Sequence, residues 1–328
     1  MGPLRSILVA VKDPASRRLA AVSKAIQVAE GTGAQIELFH AISTPLLADA
    51  YVYSPQELAQ AERAIRARHL AALDKTASRL RRRGIKATIS AEWDFPAYEA
   101  IVRRARRIGA DLIVAERHGG RRIAPWLLHL TDWELLRLSP LPVLLVKNAK
   151  PYRRPAVLAA VDPSHAFAKT AQLDSEILRV AGIISDALRG KLHAVHAYMP
   201  IPPLMSTSAE PMNANVLATL ESDARVKAKS AFQRVLASAN IPAERRHLVA
   251  RAPIEAIPAA ARKSRCAIVV MGALSRSGLK RVFIGNTAER VLDELACDVL
   301  VVKPAHFANR VGRAKRGVQL TVSTPPIF

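Results

Sequence analysis

Between Met271 and Glu289 the chain reads Met-Gly-Ala-Leu-Ser-Arg-Ser-Gly-Leu-Lys-Arg-Val-Phe-Ile-Gly-Asn-Thr-Ala-Glu. Gly272 follows a strand-like apolar run and lets the chain turn sharply away from it. Gly285, Asn286 and Thr287 stand before a helical run, Ala288–Leu295, which Asn286 or Thr287 can cap. Free N–H groups at such a helix start, with the helix dipole behind them, attract an anion. Lys280 and Arg281 add positive charge nearby. Two readings stand side by side: a phosphate-sized ligand, or an ordinary glycine-rich turn that leads into a capped helix.

Other reactive side chains are sparse. His40, His118, His196 and His247 are the candidate bases. No nucleophile, base and acid in order, and no metal-spaced His/Cys cluster, accompany them. His40 and His196 fall at equivalent strand ends, which favours structural roles. The expectation is a non-enzyme, with a weak ATPase in the second half left open, and no metal. Cys266 and Cys297 lie in apolar surroundings and read as small buried hydrophobes rather than a disulfide framework.

The elements that must position these residues repeat with a period near 150. Ile7-Leu-Val-Ala-Val-Lys-Asp-Pro14 answers Val157-Leu-Ala-Ala-Val-Asp-Pro-Ser164. Each is a continuous apolar run closed by a turn-forming Asp-Pro, which suits a strand covered on both faces. Second strands follow at Gln35–His40 and Lys191–His196, behind helices at Arg17–Glu30 and Ala171–Leu188. Long helices are predicted at Ser54–Arg83 and Ala214–Ser238, then third strands at Lys86–Glu92 and Glu244–Ala250. Helices at Pro96–Ile108 and Pro253–Lys263 each carry a proline at the first turn. Fourth strands are Ala110–Ala115 and Cys266–Met271, and fifth strands Pro142–Lys147 and Asp298–Lys303.

This alternation implies an α/β protein with two tandem doubly wound, Rossmann-like domains, each a five-stranded parallel sheet with helices on both faces. The predicted domains span 1–149 and 150–305. Residues 306–328, basic and then rich in Ser, Thr and Pro, read as a disordered tail. In such open sheets a ligand sits beyond the carboxyl ends of the strands, where strand order reverses. In the second half that brings together the end of strand one, Val161 and Asp162, and the turn after strand four, Met271, Gly272 and onward to Ser275.

These residues and their order resemble the universal stress protein family, in its tandem double-domain E type. The marks are Gly285-Asn-Thr-Ala-Glu289, Thr131-Asp-Trp-Glu-Leu-Leu-Arg137, and the spacing of Tyr53-Ser-Pro-Gln-Glu57. The nucleotide-binding branch carries Gly-x-x-Gly, nine residues, then Gly-Ser/Thr. Here Gly272 is kept, Ser275 replaces the second glycine, Gly285 is kept, and Asn286 replaces the Ser/Thr, with Thr287 next. The resemblance implies that Val161, Asp162 and Ala197 line the adenine end of a site. Met271, Gly272, Ser275, Gly285, Asn286 and Thr287 would surround ribose and phosphates. A side chain at Ser275 narrows the space in which backbone can approach a phosphate.

The first half reads differently at the same place. Gly119 and Gly120 persist, but Leu130, Thr131 and Asp132 replace the Gly-Ser/Thr pair, and an aspartate at a helix start repels phosphate. Lys12 stands opposite Asp162. No nucleotide is expected there. Trp126 and Trp133 are expected in the core or against the other half.

The 328 residues carry 49 Lys+Arg against 27 Asp+Glu, a net charge of +22. Such a charge attracts anions of any kind. Arginine runs at Arg63–Arg83, Arg103–Arg107 and Arg117–Arg122 read first as solvated faces, and without a recognised motif they are a weak case for nucleic acid. The expected partners are a small molecule: ATP or another adenine nucleotide in the second half, or an apolar, lipid-like ligand lined by residues 199–214. The functional expectation is a non-catalytic stress-response protein with a ligand pocket in its second domain. The alternatives are an ATP-binding switch and a nucleic-acid-associated basic protein. A monomer with an internal pseudo-dimer through the fifth strands is expected, with a homodimer open. No leader and no apolar stretch near ~18 residues is present, so the cytoplasm is the expected compartment.

Overall fold

The computed structural model describes residues 4–43, 46–48, 54–117, 131–163, 171–200, 214–272, 286–304, 307–318 and 320–322. They fall into two units: one from the N-terminal half through Pro151 together with the chain from Ala308 on, the other Tyr152–Phe307.

In the first unit the order is β1 (Ser6–Ala10), α1 (Ala20–Thr32), β2 (Gln35–Ile42), β3 (Leu46–Ala48), α2 (Pro55–Arg82), β4 (Ala87–Trp93), α3 (Ala97–Arg107), β5 (Leu112–Glu116), α4 (Thr131–Leu138) and β6 (Val143–Val146). The strands pair in parallel in the spatial order β4-β2-β1-β5-β6. β1, β5 and β6 are apolar at nearly every position, and Ile7, Leu8, Ile113, Val114 and Leu144 are wholly buried. A strand covered on both faces must read this way.

Local chemistry sets the helix ends. Ser54 accepts the Glu57 N–H while the Glu57 carboxylate accepts the Ser54 N–H at 2.6 Å, a reciprocal cap at the start of α2, with Pro55 next. The Ser-Pro-Gln-Glu spacing singled out in the sequence is thus a helix-start device. Arg79, Arg81 and Arg82 lie in the last turn of α2, where the dipole favours cations. Pro96 is the residue before α3 rather than within its first turn.

The second unit repeats the plan: β7 (Ala156–Ala160), α5 (Ala171–Ala187), β8 (Lys191–Tyr198), α6 (Ala214–Val235), β9 (Arg246–Ala250), α7 (Pro253–Lys263), β10 (Cys266–Gly272), α8 (Asn286–Glu294) and β11 (Asp298–Val302). Its strands pair in parallel in the order β9-β8-β7-β10-β11. Both units are therefore Rossmann-like α/β sheets. Cys266 is buried and Cys297 half-buried, both as free thiols, and burial pushes the Cys266 thiol up to about 12.

Two findings correct the sequence reading. Residues 307–318 and 320–322 are not a free tail. The last strand, β12 (Leu320–Val322), pairs in parallel with β3, in register Leu320↔Leu46 to Val322↔Ala48. Lys315 and Arg316 are held by Glu92, Asp94 and Glu99. Composition registers the basic residues, but their acidic partners lie more than two hundred positions away.

The second correction concerns the Arg103–Arg107 run, read as a solvated face. Arg103 is only 5 % exposed. It donates from Nε and Nη2 to the two oxygens of Asp94, each at 2.8 Å, and from Nη1 to Glu99 at 2.9 Å. Arg104 pairs with Glu37 and Glu92, and Arg107 with Glu92. A buried guanidinium is tolerated only with its charge paired and its donors satisfied.

Candidate functional site

Strand order reverses between β7 and β10 in the second unit. Register places Ala160 beside Met271, so the carboxyl ends of these strands lie side by side. Val161 continues β7 and donates its N–H to the Val195 carbonyl of β8 at 3.0 Å. Val161, Asp162, Met271 and Gly272 are thus gathered at one end of adjacent strands, with Ala197 one strand further at the end of β8. Ala197 is half-buried, Met271 buried and Asp162 exposed. α8 begins at Asn286, with Thr287 in its first turn. Ser275 and Gly285 lie outside the described residues, as do Lys280, Arg281 and positions 201–213; the side chains of Asn286 and Thr287 do too.

Gly272 has a role beyond turning the chain. A Cβ built there would stand 2.6 Å from Leu173 Cδ2 and 3.2 Å from Ile177 Cδ1, both on α5. The missing side chain lets α5 close down on the end of β10. On that face the space beside Gly272 is filled by leucine and isoleucine.

α5 contributes a second residue that sequence reasoning missed. Asp174, 4 % exposed, accepts the Asp162 N–H at 2.9 Å and so fixes the turn after β7. Its only sequence signal is an acidic residue in the first turn of a helix, which has many ordinary explanations.

His196 marks the site most sharply. It is 1 % exposed, and among the described residues neither ring nitrogen makes a well-formed hydrogen bond, although the Val161 carbonyl is close enough to favour a proton on the ring. Its ring lies 5.9 Å from that of Phe232 on α6. Burial lowers its pKa below the ordinary 6.5, against the opposing pull of the Asp162 charge and the Val161 carbonyl. A neutral imidazole carries one donor and one acceptor, so with only the Val161 carbonyl acting on the ring at least one of the two is buried without a partner among the described residues. Lys303, just after β11, is a second such base. It is 5 % exposed, its Nζ has no hydrogen-bond partner among the described residues, and it sits 4.7 Å over the Phe307 ring. Burial lowers its pKa to about 7.

The first unit treats the matching positions otherwise. His40, the counterpart of His196, meets the Val11 carbonyl with Nδ1 at 2.8 Å. A carbonyl only accepts, so Nδ1 carries the proton. The His40 ring also packs on His69, 4.4 Å between centroids. Lys12 and Asp13 are exposed, and Asp13 accepts the Ala15 N–H. Asp132 is buried inside the first turn of α4, and Trp133 is half-buried. His118, Gly119, Gly120 and Trp126 lie outside the described residues.

His247 stands apart from the site, in the amino half of β9. Its Nε2 is 3.2 Å from His193 Nδ1 and 3.2 Å from Ser264 Oγ. The two rings are within 3° of parallel with centroids 5.5 Å apart. A ring nitrogen lies about 1.2 Å from its centroid, so the two nitrogens point nearly at each other, the arrangement of one shared proton. Among the described residues no group of three or more His, Cys, Asp or Glu could hold a metal. No described helix is long and apolar enough to cross a membrane.

Two doubly wound parallel sheets in tandem, each with one reversal of strand order, define a duplicated Rossmann-like α/β protein. The model of the universal stress protein family matches the chain twice, over residues 3–147 and 156–303, and the chain belongs to that family. It is 26% identical to "Universal stress protein E" of Photorhabdus laumondii over 94% of this chain and 98% of the relative. It is 27% identical to the Escherichia coli protein of the same name over 95% and 98%. Among solved structures, a functionally unknown protein from Pseudomonas aeruginosa matches with TM-score 0.70 and 26% identity over 92% of this chain and 93% of that one. A universal stress protein from Archaeoglobus fulgidus shares the fold at TM-score 0.61 and 19% identity, over 92% and 97%. The chain is thus a tandem, E-type member and a stress-response protein by family.

Proposed function

We propose that this is a non-catalytic, cytoplasmic stress-response protein whose second unit holds one small ligand at the carboxyl ends of β7, β8 and β10. The observation that carries the reading is His196. A buried ring with a nitrogen left without a well-formed hydrogen bond among the described residues is costly in an empty protein and useful beside a guest that bonds to it. Asp162, held in place by Asp174, and the first turn of α8 supply a polar rim. An adenine nucleotide fits this chemistry through Asp162 and the α8 start, with Val161, Ala197, Met271 and Gly272 as the apolar wall. The leucine and isoleucine packed against Gly272 restrict the room on that side, which favours a compact ligand such as AMP over a triphosphate.

Native mass spectrometry of freshly purified protein, with a thermal-shift series in ATP, AMP and a long-chain fatty acid, tests this. A ligand at 100 times its Kd stabilises the folded state by about 2.7 kcal/mol. The expected result is a raised midpoint with AMP that Ala197→Phe abolishes by filling the end of β8. An apo mass alone, with no midpoint change for any of the three compounds, overturns the reading.

A further inference from the structure

We propose that Glu92, Asp94 and Glu99, with the free edge of β3, form a docking groove for a peptide carrying two successive basic residues and, a few residues on, a short strand. In this chain residues 315, 316 and 320–322 occupy the groove in cis, and a partner segment of the same chemistry competes for it.

The occupying segment shows what the groove reads. The Arg316 main-chain N–H donates to Asp94 Oδ1 at 2.9 Å. Its guanidinium donates to both oxygens of Glu99, at 2.7 and 3.2 Å, and lies 6.0 Å over the Phe95 ring. Lys315 pairs with Glu92. Four residues past Arg316 the chain begins its parallel pairing with β3. Charge recognition followed by strand addition to an open edge is a recurrent way to bind an extended peptide.

The two sides of this contact are built unequally. The Asp94 side chain is 2 % exposed, Glu92 9 % and Glu99 13 %. Each keeps an internal anchor when the segment leaves: Arg103 for Asp94 and Glu99, Arg104 and Arg107 for Glu92. The receiving carboxylates are therefore preorganised. The segment is not. The Lys315 and Arg316 side chains are 39 % and 52 % exposed, so the basic end of each pair stays open to water and its contribution is reduced, while the carboxylate end is buried. A three-residue parallel pairing adds a weak ladder. A rigid acidic receptor and a loosely held basic ligand make an exchangeable pair rather than a permanent fold element. The arrangement also gives part of the +22 charge a partner within the chain.

The test uses full-length protein and a fluorescein-labelled peptide of residues 312–322, Gly-Arg-Ala-Lys-Arg-Gly-Val-Gln-Leu-Thr-Val, read by anisotropy. Lys315→Glu with Arg316→Glu releases the cis segment, and Lys315→Ala with Arg316→Ala is a second released form should the first fold poorly. The released protein should bind the peptide at least about tenfold tighter than the native chain, because the tethered competitor acts at millimolar effective concentration. Adding Glu99→Gln to the released form should weaken that binding several-fold. Hydrogen exchange should show protection of 46–48 on peptide addition. Equal affinity of native and released forms, no binding to either released form, or equal binding of a scrambled peptide of the same composition each overturns the proposal.

Discussion

The two units share one fold and treat their buried bases in opposite ways. In the first, Arg103 is tied to Asp94 and Glu99, and His40 to the Val11 carbonyl. In the second, His196 and Lys303, 1 % and 5 % exposed, make no well-formed hydrogen bond among the described residues. Burial of an unpartnered polar group is destabilising, and such groups concentrate where another requirement overrides stability. The first unit pairs its buried carboxylates Glu92, Asp94 and Glu99 with Arg103, Arg104 and Arg107. The second leaves buried groups without such partners among the described residues.

Breaking the first unit's network should give the largest effect. Asp94→Ala leaves Arg103 buried with Glu99 alone and should cost about 3–5 kcal/mol. Urea unfolding with hydrogen exchange should place the loss in α3 and β4 and leave β7–β11 unchanged. Equal loss in both units would erase the contrast.

Gly272→Ala should come next. Its Cβ would press on Leu173 at 2.6 Å. Overpacking of this kind costs about 1–3 kcal/mol, confined here to α5 and β10. A neutral result in the melting midpoint would mean that α5 yields freely and that the crevice is softer than drawn.

The smallest effect is the most diagnostic. The folded-state pKa of His196 lies below the unfolded value near 6.5, so below pH 6.5 the unfolded chain binds a proton that the folded chain resists. Stability therefore falls as pH drops through that window. His40, His69, His193 and His247 are lowered in the same sense. His196→Leu should flatten the slope of stability between pH 6.5 and 5 in the second unit, measured by urea midpoints. An unchanged slope would assign the acid sensitivity to the other histidines.

Much of this was legible in residue order. Continuous apolar runs such as Ile7–Val11 and Cys266–Met271 announce strands covered on both faces, and their recurrence announces two sheets. Expected ends shift by a few residues at most helices: Arg17–Glu30 becomes Ala20–Thr32, and Ser54 is the cap of α2 rather than its first residue. β3 and β12 went unread because three-residue strands carry no periodicity. Of the candidate site, Val161, Asp162, Met271 and Gly272 could be named because strand ends at the reversal of order follow from the alternation, while Ala197 rests on the family resemblance.

The sequence by itself determined the duplicated parallel architecture, the family and the strand ends at the reversal of strand order, because these depend on local pattern and its repetition. Tertiary structure alone decided that Leu173 fills the space beside Gly272, that Asp174 holds Asp162, that His196 makes no well-formed hydrogen bond among the described residues where His40 does, and that Arg316 reaches Asp94. Each of these is a matter of ångströms between residues that the chain separates by up to 222 positions. A hydrogen bond or a steric clash is set by that distance in space, on which order along the chain is silent.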